Sequence, residues 1–261
     1  MLRKLTALIA ILGYTALLLP LVLLIAFSFN ASRSGARWDG FTVDWYVRLL
    51  HRPDLMIALR TSLVVAVTST VVATGLGTIA ALAIGRDRGK LARVAEAVLV
   101  LPIVTPEVIA GISLLILFAA AGIHLGLLTV IVAHITFCIP FTTLVVTARL
   151  RGMDRSLEDA ALTLGADEFT AFRRVTMPLL MPGIIAAALL AFTLSFDDFV
   201  ITFFTAGPGT STLPLVIYGM VRRTVEPSVN ALSTLLVLGT TLLLIAAQRW
   251  LGSDVTGGGT T

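Results

Sequence analysis

Three carboxylates sit in stretches of sequence that are otherwise almost free of charge. They are Glu107 in L-P-I-V-T-P-E-V, and the adjacent pair Asp197 and Asp198 in F-T-L-S-F-D-D-F-V. A carboxylate carried into hydrocarbon costs about 2.5 kcal/mol or more unless it faces a cavity or a partner. Acids held at that depth point to a path for cations, or to structural pairing. Successive helical residues lie about 100° apart, so Asp197 and Asp198 do not face one cavity together. Asp198 is assigned to the lining and Asp197 to a structural partnership, for example with a helix end. Tyr218 offers an aromatic face suited to cation–π contact. The competing reading is that these acids pair with Arg of another chain or cap broken helices.

Other chemistries are poorly served. Nucleotide hydrolysis needs G-x-x-x-x-G-K-[ST]. The nearest stretch, residues 85–91, has one residue too few between its glycines and lacks the hydroxyl. H-E-x-x-H is absent, and His51, His124 and His134 are scattered, which argues against a metal site. An aspartyl dyad needs two acids facing each other, and Asp197 and Asp198 are neighbours on one helix. The single cysteine, Cys138, allows no intrachain disulfide and reads as a small buried apolar residue. No Lys- and Arg-rich run is interleaved with aromatics, so nucleic acid is not an expected partner.

A second constellation lies in S-L-E-D-A-A-L-T-L-G-A-D-E-F-T-A-F-R-R-V-T-M-P, residues 156–178. Ser156 with Asp159 has the form of a helix-starting capping box. Leu157, Ala160, Ala161 and Leu164 recur at i, i+3, i+4 and i+7, one short apolar helical face. Gly165 falls where a left-handed cap ends such a helix. A second short helix follows, with Phe169 and Phe172 on one side, and Pro178 stops it. The result is a helix–Gly–helix elbow whose apolar face has no evident cover within the chain. Docking into a partner's groove and resting on a membrane surface both solve that problem.

The elements that carry these residues follow from composition. Of 261 residues, 57% are hydrophobic and 13% charged, against about 25% charged in soluble domains. A bilayer is the natural solvent for such a chain. Six stretches are long enough to span it as helices: 5–29, 61–85, 97–122, 125–148, 177–204 and 228–248. The first is too long an uncharged run, without a convincing cleavage site, for a removable signal. With the N-terminus inside, the inner segments hold twelve of the 19 basic residues and the outer segments seven. The bias places both termini in the cytoplasm. It also makes 149–176, with ten charges, a long inner loop. The outer loop 30–60 carries Trp38, Trp45 and Tyr46, rings suited to the membrane interface. The tail 252–261 is Gly- and Thr-rich and is expected to be disordered.

The elbow resembles the coupling loop of permease subunits of ATP-driven ABC importers, which reads Glu-Ala-Ala, three residues, Gly, nine residues, then Ile-x-Leu-Pro. Here Asp159-Ala160-Ala161, Gly165 and Val175-x-Met177-Pro178 keep that spacing, with Asp for Glu, Val for Ile and Met for Leu. Glu158 stands beside the first departure. Further stretches are similar to spermidine/putrescine permeases, closest to the second of their two unlike permease subunits. They include S-F-N-A-S-R (28–33), W-D-G-F-T-V-D-W-Y (38–46), H-I-T-F-C-I-P-F (134–141), G-P-G-T-S-T-L-P (207–214) and P-S-V-N-A-L-S-T (227–234).

The resemblance implies an all-α integral membrane protein of the type I ABC importer permease fold. It has six transmembrane helices, and 149–176 is its coupling loop. It implies a non-catalytic, multi-pass subunit of a bacterial inner membrane. Its partners would be a second permease, two ATPase subunits that bind ATP and Mg²⁺, and an extracytoplasmic binding protein. The chain itself would bind no cofactor. Glu158, Asp159, Ala160, Ala161, Gly165 and Pro178 would couple to the ATPase. Glu107, Asp198, Asp197 and Tyr218 would line the path of the polyamine. A permease for thiamine or an anion, or a channel or membrane enzyme acting alone, are the alternatives.

Overall fold

A computed structural model describes residues 2–32, 37–86, 89–223 and 227–256. Long apolar runs in a bilayer have no water for their backbone groups, so they close those bonds internally as helices. The elements are α1 (Leu2–Phe27), α2 (Asp44–Leu50), α3 (Pro53–Arg86), α4 (Lys90–Val104), α5 (Glu107–Ala120) and α6 (Leu127–Arg151). They continue with α7 (Ser156–Thr163), α8 (Glu168–Ala171), a π-helical turn (Phe172–Thr176), α9 (Met177–Asp197), α10 (Val200–Thr205), α11 (Leu213–Arg223) and α12 (Pro227–Thr256). Four helical stretches are long and apolar enough to cross a membrane, and α4 with α5 makes a fifth if the pair is one span. At the expected sixth span, α12 is apolar over Pro227–Leu242, a shorter stretch. Helix α12 also continues through Thr256, into the tail expected to lack order. Residues 257–261 of that tail lie outside the described residues.

Two expected spans are broken. The stretch 97–122 is two helices meeting at 106°. Thr105 is extended (φ −74°, ψ 134°), as a residue before proline prefers, and Pro106 follows at φ −55°, ψ 131°. The stretch 177–204 ends as a helix at Asp197. Asp198 is extended (φ −67°, ψ 128°), and α10 restarts at Val200. No proline marks this second break. Its cause is a side-chain cap described below.

The chain divides into two compact units, Met1–Ile57 with Val216–Ala246, and Ala58–Leu215 with Ala247–Thr261. In the first unit, Asn30 is buried and ties the loop after α1. Its Nδ2 donates to the carbonyl of Arg37 at 2.6 Å, and its Oδ1 accepts from the amides of Ser32 (3.2 Å) and Asp39 (3.0 Å). Trp45 Nε1 donates to the Asn30 carbonyl at 2.8 Å. Trp45 is therefore buried against its own loop. Trp38 remains half exposed against Phe27.

In the second unit, Ala73, Phe118, Ala133, Phe137, Cys138, Ala191 and Ile201 form one core cluster, and Ala81, Val146, Leu180 and Ala187 another. Helices come close where side chains are small, as they do in membranes. A Cβ on Gly77 would lie 2.0 Å from Thr142 Oγ1. That hydroxyl donates to the Ala73 carbonyl at 2.9 Å, joining α3 to α6. At the other end, Gly207 in the Gly-Pro-Gly loop lies so near the Leu125 carbonyl that a Cβ would meet its oxygen at 1.8 Å.

Candidate functional site

The elbow is built from local capping. Asp154 Oδ1 accepts the amide of Ser156 at 2.9 Å and starts α7. This bond, with a second to the Ser156 side chain, holds the Asp154 carboxyl below the usual carboxylate range. The expected Ser156–Asp159 capping box does not form, because Asp154, two residues upstream, already holds the first amide and Arg155 occupies the cap position. Gly165 ends α7 at φ +88°. Its amide donates to Leu162 at 3.0 Å and that of Ala166 to Ala161 at 3.1 Å, the paired bonds of a left-handed glycine cap.

No residue of α7 is buried. Leu157 and Ala160 stand at the surface beside Leu164, 89% exposed, and Phe169, 67% exposed. The expected apolar face is present and is left uncovered among the described residues. Glu158 is turned inward, where its Oε2 accepts from Thr176 Oγ1 at 3.1 Å, while Asp159 is exposed. A cavity of about 270 Å³ opens here, lined by Leu150, Met153, Arg155, Glu158, Val175 and Leu179.

Beyond Gly165, Asp167 precedes α8 in extended conformation, and its carboxyl is held low chiefly by a hydrogen bond from Thr170. Pro178, expected to stop this helix, does not. Met177 donates to Phe172 across the widened π-turn, and Pro178 falls in the first turn of α9. A widened turn gives room for the ring and the missing donor. Helix runs from Glu168 to Asp197 without a stop. Arg149, at the end of α6, braces the start of α9 by donating from Nε to the Leu179 carbonyl at 3.1 Å. Its stem packs where Gly183 leaves space.

The intramembrane acids stand at the two breaks. Glu107 is the first residue of α5, directly after the bend, and is exposed. The partial positive charge of a helix N-terminus favours an acid there. Asp197 is the last residue of α9 and is exposed. Asp198 is buried. Its Oδ1 accepts the amide of Ile201 at 3.1 Å, and its Oδ2 accepts the amide and hydroxyl of Thr202 at 2.9 and 3.1 Å. It caps α10. Asp198, expected in the lining, is thus the helix cap, and Asp197, expected at a helix end as a structural partner, is the exposed one. A side chain two to four residues before free amides turns back onto them. The two short helices pack together, with Gly111 of α5 against Phe204 of α10.

His134, set aside in the sequence as one of three scattered histidines, joins this cap. Its Nδ1 lies 2.7 Å from Ser195 Oγ, and its Nε2 lies 2.9 Å from Thr202 Oγ1 and 3.3 Å from Asp198 Oδ2. Ser195 and Thr202 flank Asp198 at −3 and +4, the only sequence signal of the network. Tyr218 belongs to the first unit, half buried, with the Arg222 guanidinium 5.1 Å from its ring centroid. Glu107, Asp197 and Asp198 belong to the second. Among the described residues, no three His, Cys, Asp or Glu side chains converge as a metal site.

Comparison with known proteins fits this arrangement. The chain is 42% identical over 247 residues to the spermidine/putrescine transport system permease protein PotC of Escherichia coli K12, covering 95% of this chain and 93% of that one. It is 42% identical over 238 residues to the putrescine transport system permease protein PotI of the same strain, covering 88% and 84%. Among solved structures, a bacterial ABC transporter involved in import of the acidic polysaccharide alginate shares the fold, with a TM-score of 0.75 at 16% identity over 97% of this chain and 95% of that one. Residues 73–257 match the model of the binding-protein-dependent transport system inner membrane component. From the broken spans, the capped elbow and these matches together, the chain belongs to the family of inner-membrane components of binding-protein-dependent transport systems.

Proposed function

We propose that this chain is the membrane-spanning subunit of an ATP-driven importer for spermidine and putrescine. It pairs with a second, unlike permease and receives substrate from an extracytoplasmic binding protein. Two ATPase subunits bind ATP and Mg²⁺ and do the hydrolysis, and this chain is not itself catalytic. Both termini face the cytoplasm. The observation that carries the coupling role is the elbow at Gly165, a rigidly capped apolar knob continuous with a long helix. Closure of an ATPase groove on Leu164 and Phe169 moves α9 as one piece.

The cationic substrate is supported by the relatives' names and by two exposed carboxylates, Glu107 and Asp197, one at each helix break. Chains of methylenes between ammonium groups suit acids that are separated rather than clustered. Asp197, not Asp198, takes the lining role. The test is uptake of radiolabelled spermidine and putrescine into proteoliposomes holding the full complex. ATP-dependent accumulation of either polyamine is the expected result. A complex that hydrolyses ATP and accumulates neither rejects the substrate, and transport by this chain alone rejects the class.

A further inference from the structure

The buried polar cluster around His134 is more than a cap requires. Asp198 already accepts two backbone amides and a hydroxyl, which satisfies the start of α10. His134 comes from α6 and is 1% exposed. Its ring reaches Ser195 on α9 with one nitrogen, and Thr202 and Asp198 at α10 with the other. One side chain therefore bridges both sides of the break in the fifth span. One neutral assignment uses every donor once. The Ser195 hydroxyl donates to Nδ1, Nε2–H donates to Thr202 Oγ1, and the Thr202 hydroxyl donates to Asp198 Oδ2.

We propose that His134 is a positioning residue for the cation path: by locking α9 to α10 across Asp198, it sets the direction in which the Asp197 carboxylate stands. The ring adds a direct tie to the packing of α9 on α6 and of α10 on α5 and α6, and so helps to fix the angle at the joint of residues 198 and 199. Asp197 is the last residue before that joint, so its direction follows the angle. A buried histidine that merely satisfied its two ring nitrogens would need two partners, which a single element can supply. This one holds three groups on two. The inference rests on the reading of Asp197 as a lining residue of a polyamine path.

The experiment is a double-mutant cycle in the assembled transporter in proteoliposomes, with initial spermidine uptake normalised to the amount of complex. Its members are wild type, His134→Leu, Asp197→Asn and the double variant. The expected result is a fall of about tenfold for His134→Leu alone and less than about twofold when Asp197→Asn is already present, because residues acting through one another are not additive. His134→Gln, which keeps one donor toward Thr202, restores part of the rate. Full additivity, or a loss of complex with no change in rate per complex, overturns the proposal. If His134→Leu fails to assemble, His134→Gln takes its place in the cycle, and failure of both shows a purely structural role and overturns it too. Wild type without ATP-dependent uptake rejects the underlying reading instead, so the two failures are distinct.

Discussion

Glu158 and Thr176 are joined by a hydrogen bond of 3.1 Å between side chains 18 residues apart. The bond ties the first helix of the elbow to the turn that enters the fifth span. Glu158→Ala removes it and opens the cavity between them further. Net single hydrogen bonds are worth about 0.5–1.5 kcal/mol, so the complex should still assemble. Its uptake should fall while ATP hydrolysis by the partner subunits continues, and measuring both in one preparation checks the uncoupling. Equal loss of both activities rejects it.

Gly165 stands at φ +88° with open space where a side chain would lie. The cost of substitution is then backbone strain alone. An L-residue in the left-handed region costs roughly 1–2 kcal/mol, and Asn bears it better than a branched residue. Gly165→Val should weaken co-purification with the ATPase markedly and Gly165→Asn only slightly. Pull-down of the complex from detergent at matched expression decides the order.

Gly207 has the opposite constraint. Its φ is not in the left-handed region, but the Leu125 carbonyl oxygen occupies the place of a Cβ. Backbone cannot swing aside as a side chain can. Overpacking commonly costs about 1–3 kcal/mol, and Gly207→Ala should lower the thermal midpoint of the purified protein by several degrees. Gly219→Ala, where a Cβ meets nothing within 4 Å and the backbone is not left-handed, should not lower the midpoint.

Asp197 and Asp198 should part company under mutation. Asp198→Ala strands the amides of Ile201 and Thr202, at a cost of about 1–3 kcal/mol, and should reduce the amount of folded protein in the membrane. Asp197→Asn should leave that amount unchanged and lower uptake. Immunoblots beside uptake assays separate the two, and equal abundance for both variants contradicts the assignment.

The Asp154 cap gives the elbow a pH dependence of known sign. Its carboxyl is depressed below its ordinary value of 3.8 in the folded loop. The contribution to stability is therefore complete above that value and is lost as pH falls through the folded pKa. Protection of the α7 amides against hydrogen exchange, corrected for intrinsic rates, should drop below about pH 4 in wild type. Asp154→Asn should flatten that dependence.

Much of this molecule was legible in its residues. Apolar runs separated by Arg gave the helical membrane class. The spacing around Gly165 located the elbow and its left-handed cap. In the third span the residue before Pro106 marks the bend, whose size of 106° no local pattern gives. The break after Asp197 was not legible, because it has no proline or glycine. Its determinants include a histidine more than 60 residues earlier, and no local window contains that partner. The capping role of Asp198 was not legible for the same reason: periodicity shows that two neighbours point apart, but only the fold shows which one points inward. At the elbow, Ser156 matched a capping pattern that Asp154 pre-empted, and Pro178 lost its stop because a π-turn absorbed it.

That π-turn has a mechanical consequence. By not interrupting the helix, it makes Glu168–Asp197 one continuous lever of 30 residues, roughly 45 Å long at the usual rise. Pivoted near the elbow, a tilt of about 10° swings the far tip by roughly 8 Å over that length. The tip is Asp197. A modest push on Leu164 and Phe169 at one end is thus magnified into a displacement wider than an ammonium group at the other. Phe172–Thr176 are the residues whose bending would waste it.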